Sequence, residues 1–529
     1  MAWNNERARA RIRGFMEQTP EGEIVVEEFT RYLAEKRSRH TGSHPTLAMD
    51  AKALIEIPRN RAITTHAVHV YANLINFNSV LVEAGRETEA SHRRALEFLH
   101  AHYRACDNLI DEFAMLRVDF HGSRLHAVVL APEGASNEGE RVRIAVSFAA
   151  AFRAMVARLS NDHPEFQTEV RIGIDTGPAV AIDGGKSDER EPLFIGSPAN
   201  HAAKLAAGEI PGIILSPRAE TLIGQQRQIG SQSHPLSAQI EQHFLTEEIL
   251  ALDSVAPSGG RLETAYQRFS DEFGAPRSMA ADSKQPAFSF HYKQPPLKNI
   301  VFKDHPPSNA IRMELASIFA DLDGFTAYID AAMRDGKIAE AVANLHVLRA
   351  EMAAVLRNDF SGRKVRFVGD CVHGLIAEGT SSETDPAETV RSAVIMAGAL
   401  RSSFDLCRTM LPGIRDMGLA IGIDYGTTPI CRLGLRGLAS VRTAASRSAC
   451  ISEAEQQRCS GNETAIGEAA YRAASAVVRE AFKTDRALAN LDYLSAQFML
   501  GLETKGAAKP AAPMQAHVPA SMPLRAHAT

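Results

Sequence analysis

Two stretches decide how this chain is built: RIGIDTGPAV at 171–180 and AIGIDYGTTP at 420–429. Each is an apolar, β-prone run that breaks at Asp-x-Gly, the pattern of a strand entering a turn. One shared IGID-x-G could be coincidence, but three further pairs stand at nearly the same separation. YANLINF at 71–77 matches FADLDGF at 319–325, FHGSRLHAVVL at 120–130 matches VGDCVHGLIAE at 368–378, and PANHAAKLA at 198–206 matches AASRSACIS at 444–452. All four separations fall between 246 and 249 residues. A near-constant offset held over so long a span implies two copies of one fold.

Each copy alternates strand-like and helix-like patterns. In the second copy, 316–321 reads as a strand, 327–359 as a long helix, and 364–368 with 372–377 as a hairpin turning at Gly369-Asp370. A helix over 386–409, strands over 419–424 and 429–433, and helices from about Val441 and Glu463 complete the unit. This order suits an α+β domain, an antiparallel-rich sheet with helices on one face. The expected organisation is an N-terminal helical extension over 1–60 that forms a lid or a brace on the first copy, a first domain over 61–270 and a linker over 271–310. A second domain over 311–503 and a disordered tail over 504–529 follow.

Bulk properties narrow the function. A chain of 529 residues exceeds one ordinary core, and 45% hydrophobic with 23% charged residues is globular composition. A net charge of -5 gives no general attraction to nucleic acid or anionic membrane, so a polyanionic ligand needs a local site. The six cysteines form no CxxC pair, which favours reduced thiols in a cytosol over a zinc site or disulfide framework. The Arg-rich start lacks a signal-peptide core. No run reaches the ~18 apolar residues that span a bilayer. Cytoplasmic localisation without membrane or nucleic-acid partners is expected, as a monomer or a homodimer. Gly185-Lys186 lacks the spacing of a phosphate loop.

The candidate chemistry lies in the second copy. FADLDGFT ends a buried strand at Asp321 and passes through Gly324, Phe325 and Thr326 into a helix, where glycine lets backbone amides approach a phosphate. Asp370 stands at a hairpin turn. Two carboxylates brought together by strand ends repel unless cations lie between them, and hard oxygen donors select Mg²⁺ or Mn²⁺, two ions in the two-metal arrangement. Asp323 reads as solvated or capping rather than as a third ligand.

FADLDGFT together with FVGDC resembles the class III adenylate/guanylate cyclases over 66–207 and 314–459. The resemblance implies a ferredoxin-like fold in each copy and an active site between the copies. One copy supplies the metal aspartates, Asp321 and Asp370. The other supplies an Asn and, four residues later, an Arg that bind the ribose and the α-phosphate. The first copy holds Asn200 and Lys204 there, on one helix face; Lys keeps the charge but loses the planar fork. Where the second copy has Asp321 and Asp370 the first has Asn73 and Ser123. Where the first has Asn200 and Lys204 the second is read as having Ser446 and Cys450. One composite site and one degenerate site are expected, an intramolecular pseudo-heterodimer.

The family's two base-reading positions fall on Asp119 and Leu193, and in the other copy on Arg366 and Ala439 or Ser440. Neither pair matches a purine code. The chain further resembles the bacterial Pycsar-type pyrimidine cyclases. That resemblance implies CTP or UTP as substrate, cyclic CMP or cyclic UMP as product, and a separate effector in antiphage defence. A purine cyclase with altered base contacts and a nucleotide-sensing cyclase-like protein are the alternatives.

Overall fold

The structure is a computed structural model that describes residues 3–18, 23–38, 50, 52–184, 192–224, 234–246, 258–273, 288–434 and 440–501. The expected tail at 504–529, linker residues 274–287, Gly185-Lys186 and Ala439 lie outside the described residues.

The strands in chain order are β1 Val25–Glu28, β2 Arg61–Leu74, β3 Leu116–His121, β4 Arg124–Val129, β5 Val170–Asp183, β6 Pro192–Ile195 and β7 Gly212–Leu215. The second series is β8 Phe290–His291, β9 Ala310–Asp323, β10 Arg363–Val368, β11 Cys371–Ile376, β12 Gly418–Gly434, β13 Ser440–Ala444, β14 Glu463–Ile466 and β15 Ala487–Ala489. They form two sheets, ordered β3-β4-β2-β5-β6 and β10-β11-β9-β12-β14-β15. The central order is the same in both: a hairpin, then the first long strand of the copy, then the IGID strand. A short parallel strand joins the IGID strand in each, β7 on β5 and β14 on β12. This is the α+β arrangement read from the repeat.

Alternation along the long strands sets the layers. In β2, Val68, Val70, Ala72 and Leu74 enter the apolar core beneath the helices Glu89–Glu112 and Glu138–Asp162. In β9, Ala316, Ile318, Ala320 and Leu322 do the same beneath Ile338–Ala354 and Pro386–Met410. The opposite faces carry polar and aromatic groups: His69, Tyr71 and Asn73 in one copy, Ser317, Phe319 and Asp321 in the other. A buried Leu or Phe contributes roughly 1.5–3 kcal/mol, so these helices anchor each sheet. The opposite face carries the copy's own helix, Ser197–Ala206 on Tyr71 or Arg447–Gln457 on Ser317, beside groups such as Phe319 that meet the other copy.

That meeting is continuous. Val180, Ile182, Leu193 and Ile195 of the first copy lie in one apolar cluster with Phe325, Ile329 and Leu419 of the second. Cys431, Leu433, Val441 and Ala445 of the second join the core of the first. The polar contacts repeat with pseudo-twofold symmetry. Asp330 accepts from the Ser197 amide at 3.1 Å, and Glu87 accepts from the Arg447 amide at 2.8 Å. Each copy thus caps a helix of the other.

Several expectations change. The IGID strands do not turn at Asp-x-Gly: β5 and β12 run straight through, because β2 and β9 offer hydrogen-bonding partners along their whole length. The helix expected over 327–359 is two helices, Phe325–Arg334 and Ile338–Ala354, broken at Gly336 with φ +69°, and a π turn follows at Val355–Asp359. The helices expected from Val441 and Glu463 begin later, after β13 and β14, at Arg447 and Glu468.

The N-terminal extension is divided between the copies. β1 pairs with β2, and Phe29, Tyr32 and Leu33 pack on the first copy. The helix Asn5–Gln18 instead grips the second copy. Trp3 Nε1 donates to Ser403 Oγ at 2.8 Å, Arg11 Nε to Glu351 Oε2 at 2.7 Å, and Arg7 to Asp359 at 2.7 Å. Glu351 and Asp359 are buried, so these pairs hold the helix by charge.

Removing one partner of a buried ion pair costs about 3–5 kcal/mol. Arg11→Ala is therefore expected to lower the unfolding free energy of the second copy by about 3 kcal/mol, read as an earlier urea midpoint. An unchanged midpoint shows that the helix is not anchored there.

Candidate functional site

The hairpin β10–β11 turns tightly through Gly369, φ +61°, a conformation that favours glycine. β11 lies beside β9 with Val372 opposite Ala320, so Asp370 comes to the end of β9 next to Asp321. Asp370 is 3% exposed, and its Oδ1 is buried with no hydrogen-bond partner. Burial, then the charge of Asp321, push its carboxyl well above the ordinary range; the Arg349 guanidinium opposes this and Asp323 adds to it. Arg349 is itself buried and lies 4.1 Å over the Phe367 ring. Asp323 is exposed, as expected of a solvated group. Two adjacent carboxylates, one of them buried with an oxygen that nothing bonds, fit hard divalent cations.

Past Asp321, Gly324 adopts φ +84° and opens the helix Phe325–Arg334. Phe325 is buried in the shared core. Thr326 faces the other copy, where its Oγ1 accepts from Asn200 Nδ2 at 2.8 Å. Asn200 Oδ1 is buried and bonds nothing. Lys204 lies one turn on, exposed and with no ion pair among the described residues. The structure thus joins the first copy's Asn200 to the second copy's Thr326, five residues beyond Asp321. Between Asn200 and Lys204, His201 bonds Asp175 at 3.0 Å, which raises its pKa.

The shared IGID motif explains where these helices sit. A Cβ on Gly173 would collide with the Ala202 carbonyl and the Ala206 amide, and one on Gly422 with the Ser452 carbonyl and the Gln456 amide. Each helix lies directly on its strand backbone, which only glycine allows. The contact corrects the register. Ala202 corresponds to Ser452 and Ala206 to Gln456, so the counterparts of Asn200 and Lys204 are Cys450 and Ala454, not Ser446 and Cys450. Ser446 is the helix N-cap, accepting from the Ala449 amide, and corresponds to Gly196. The counterpart of Leu193 is likewise Thr443, not Ala439 or Ser440: Leu193 pairs with Ile182, and Thr443 with Cys431. The second copy still lacks both groups.

At the degenerate half, Asn73 and Ser123 replace repulsion with a neutral hydrogen bond of 2.9 Å. Arg124 pairs with Glu453 of the second copy, and His121 packs edge-on against Phe319 and His373. The cavity left there, bordered by Thr443 and Cys450, is about 30 Å³.

The two candidate base contacts differ in setting. Asp119 is engaged by Arg366, its own counterpart, across the interface; Arg366 also donates to the Phe120 carbonyl. Leu193 is 6% exposed and presents only methyl groups. The sequence reading missed the Asp119–Arg366 and Arg124–Glu453 pairs, the nearness of Arg349 to Asp370, and Gln456, whose Nε2 donates to Asp321 Oδ2 at 3.4 Å. The Gly422-to-Gly173 register was the one signal that could have found Gln456.

A model of the adenylate and guanylate cyclase catalytic domain matches residues 69–234. A Rhizobium protein named uridylate cyclase is 42% identical over 91% of this chain and 92% of its own length. Another uridylate cyclase, from Pseudomonas aeruginosa, is 36% identical over 96% of this chain and 93% of its own. A solved structure described as a class III adenylyl cyclase-like ATP-binding protein from Pseudomonas aeruginosa is 34% identical. It has a TM-score of 0.81 and covers 94% of this chain and 100% of that one.

Asp370→Asn removes, at nearly constant volume, a carboxyl whose charged form burial and Asp321 both disfavour. The metal-free melting temperature is expected to rise by about 2–4 °C, the shift that ~1 kcal/mol gives in a domain of this size. The stabilisation that Mn²⁺ gives the wild type is expected to vanish. A variant that keeps the Mn²⁺ shift removes Asp370 from the site.

Proposed function

This chain belongs to the class III nucleotidyl cyclases, and from that premise we propose that it converts UTP, in preference to CTP, into the 3′,5′-cyclic monophosphate and pyrophosphate. The observation that carries the reading is the Asn200–Thr326 bond, which ties the first copy's transition-state helix to the segment that follows Asp321. Asp321 and Asp370 would hold two divalent cations, Mg²⁺ or Mn²⁺. When bound, these supply Lewis-acid activation of the ribose 3′-hydroxyl and neutralise phosphate charge.

The chain's own residues do the rest. The Gly324–Thr326 turn offers backbone amides to the β- and γ-phosphates. Asn200, preset by Thr326, exchanges that partner for the ribose. Lys204, exposed and unpaired among the described residues, meets the charge that develops at the α-phosphate. The new bond forms between the ribose 3′-oxygen and the α-phosphorus. The bond from that phosphorus to the bridging oxygen breaks, the hydroxyl proton leaves to solvent, and pyrophosphate departs.

The choice of base rests on two supports. The relatives named uridylate cyclase align over more than nine-tenths of both chains. Leu193 has no donor or acceptor, and Asp119 is held by Arg366, so the purine-reading positions are spent within the protein. The product would act as a messenger read by a separate effector, with no direct contact between the two proteins. The second reading is a protein that binds ATP without pyrimidine cyclisation. It is favoured by the 34%-identical structure, which is described as that of an ATP-binding protein.

One assay separates them. The protein is incubated with Mn²⁺ and each of ATP, GTP, CTP and UTP, and products are identified by mass. Cyclic UMP is expected to dominate and to disappear in Asp321→Ala. ATP binding with no cyclic product from any of the four overturns the proposal in favour of the second reading.

A further inference from the structure

We propose that Gln456 is a positioning residue for Asp321, and that the Arg124–Glu453 ion pair between the copies fixes the helix that carries it. The inference rests on the metal-binding reading of Asp321 given above.

Gln456 lies in the last turn of the helix Arg447–Gln457 and is 4% exposed. Its Nε2 donates to Asp321 Oδ2 at 3.4 Å. A donor on one oxygen sets the rotation of a carboxylate, which two carboxylates must share if they are to hold a common cation. Groups that orient metal ligands in this way typically change metal affinity 10–100-fold when lost.

Gln456 has little freedom to move. Its own amide nitrogen is one of the atoms packed against Gly422, so the backbone at this residue rests on β12. One turn earlier the same helix is tied twice. Ser452 Oγ donates to Ser317 Oγ at 2.9 Å within the second copy, and Glu453 pairs with Arg124 of the first copy. The degenerate half of the interface therefore has a use. Closed around Arg124 and Glu453, it fixes the helix whose next turn orients a ligand of the other half.

The first copy supplies the comparison. At the position of Gln456 it has Ala206, and at the position of Asp321 it has Asn73. The side-chain donor and the carboxylate are present together in one copy and absent together in the other. Ala206 packs with Tyr71, Ala202 and Ala203 and bonds nothing through its side chain.

The test is calorimetric titration of the nucleotide-free, full-length protein with Mn²⁺, which does not depend on turnover. Gln456→Met keeps the volume and removes the donor. Gln456→Ala copies the residue that the equivalent helix already accepts on its strand. Both are expected to raise the Mn²⁺ dissociation constant about 10–100-fold while the metal-free melting temperature stays within a degree or two of wild type (about 0.5 kcal/mol). Arg124→Gln is expected to weaken Mn²⁺ binding in the same direction by a smaller factor. Asp321→Ala is the control. Binding lost in Asp321→Ala but within twofold of wild type in both Gln456 variants overturns the positioning role alone. Wild-type binding that does not depend on Asp321 overturns both this inference and the metal reading.

Discussion

Half-buried Asp321 and buried Asp370 meet at one corner, and like charges so placed repel strongly. Much of the second copy is arranged around keeping them there. β11 lies against β9 in the register that brings the two together, Gly369 makes the tight turn that presents Asp370, Arg349 moderates the local field, and Gln456 bonds Asp321. Without cations the arrangement costs stability. The first copy shows the relaxed alternative on the same backbone, with Asn73 and Ser123 joined by an ordinary neutral hydrogen bond. The difference between the copies is thus a difference of electrostatic load borne by one fold.

A strained corner needs a rigid frame, and the interface provides it. Apolar residues of each copy enter the core of the other, reciprocal helix caps tie Asp330 to Ser197 and Glu87 to Arg447, and the counterpart residues Asp119 and Arg366 neutralise one another. The degenerate half is filled by His121, Arg124 and Glu453 and keeps a cavity that holds little more than a water molecule. The other half keeps buried polar atoms that bond nothing, Asn200 Oδ1 and Asp370 Oδ1, where a ligand would satisfy them. Pseudo-symmetry supplies two equivalent positions; side-chain chemistry closes one of them and leaves unbonded polar atoms at the other.

The repeat, the α+β succession of elements and the two aspartates were legible in the sequence because they depend on local signals: strand alternation, a glycine turn and a constant offset. What was not legible depends on distant partners. The Asp-x-Gly segments looked like turns, but continuous pairing with β2 and β9 overrides that local preference. Small residues align PANHAAKLA with AASRSACIS four residues away from the true helix register. The true anchor is the glycine in the neighbouring strand on which each helix rests. Sequence proximity ties the N-terminal helix to the first copy, whereas its arginines find buried carboxylates more than 300 residues away. Gln456 was missed for the same reason, since a glutamine on a helix has no meaning until the register places it over Asp321.

The central claim is one composite site per chain, built from both copies. Its most direct test is a crystal structure with Mn²⁺ and a UTP analogue that cannot be cyclised. The account predicts a single nucleotide per chain, Mn²⁺ between Asp321 and Asp370, and the α-phosphate reaching the Ser197–Ala206 helix at Asn200 and Lys204. A nucleotide contacting one copy alone, or one seated beside Asn73 and Ser123, would contradict it.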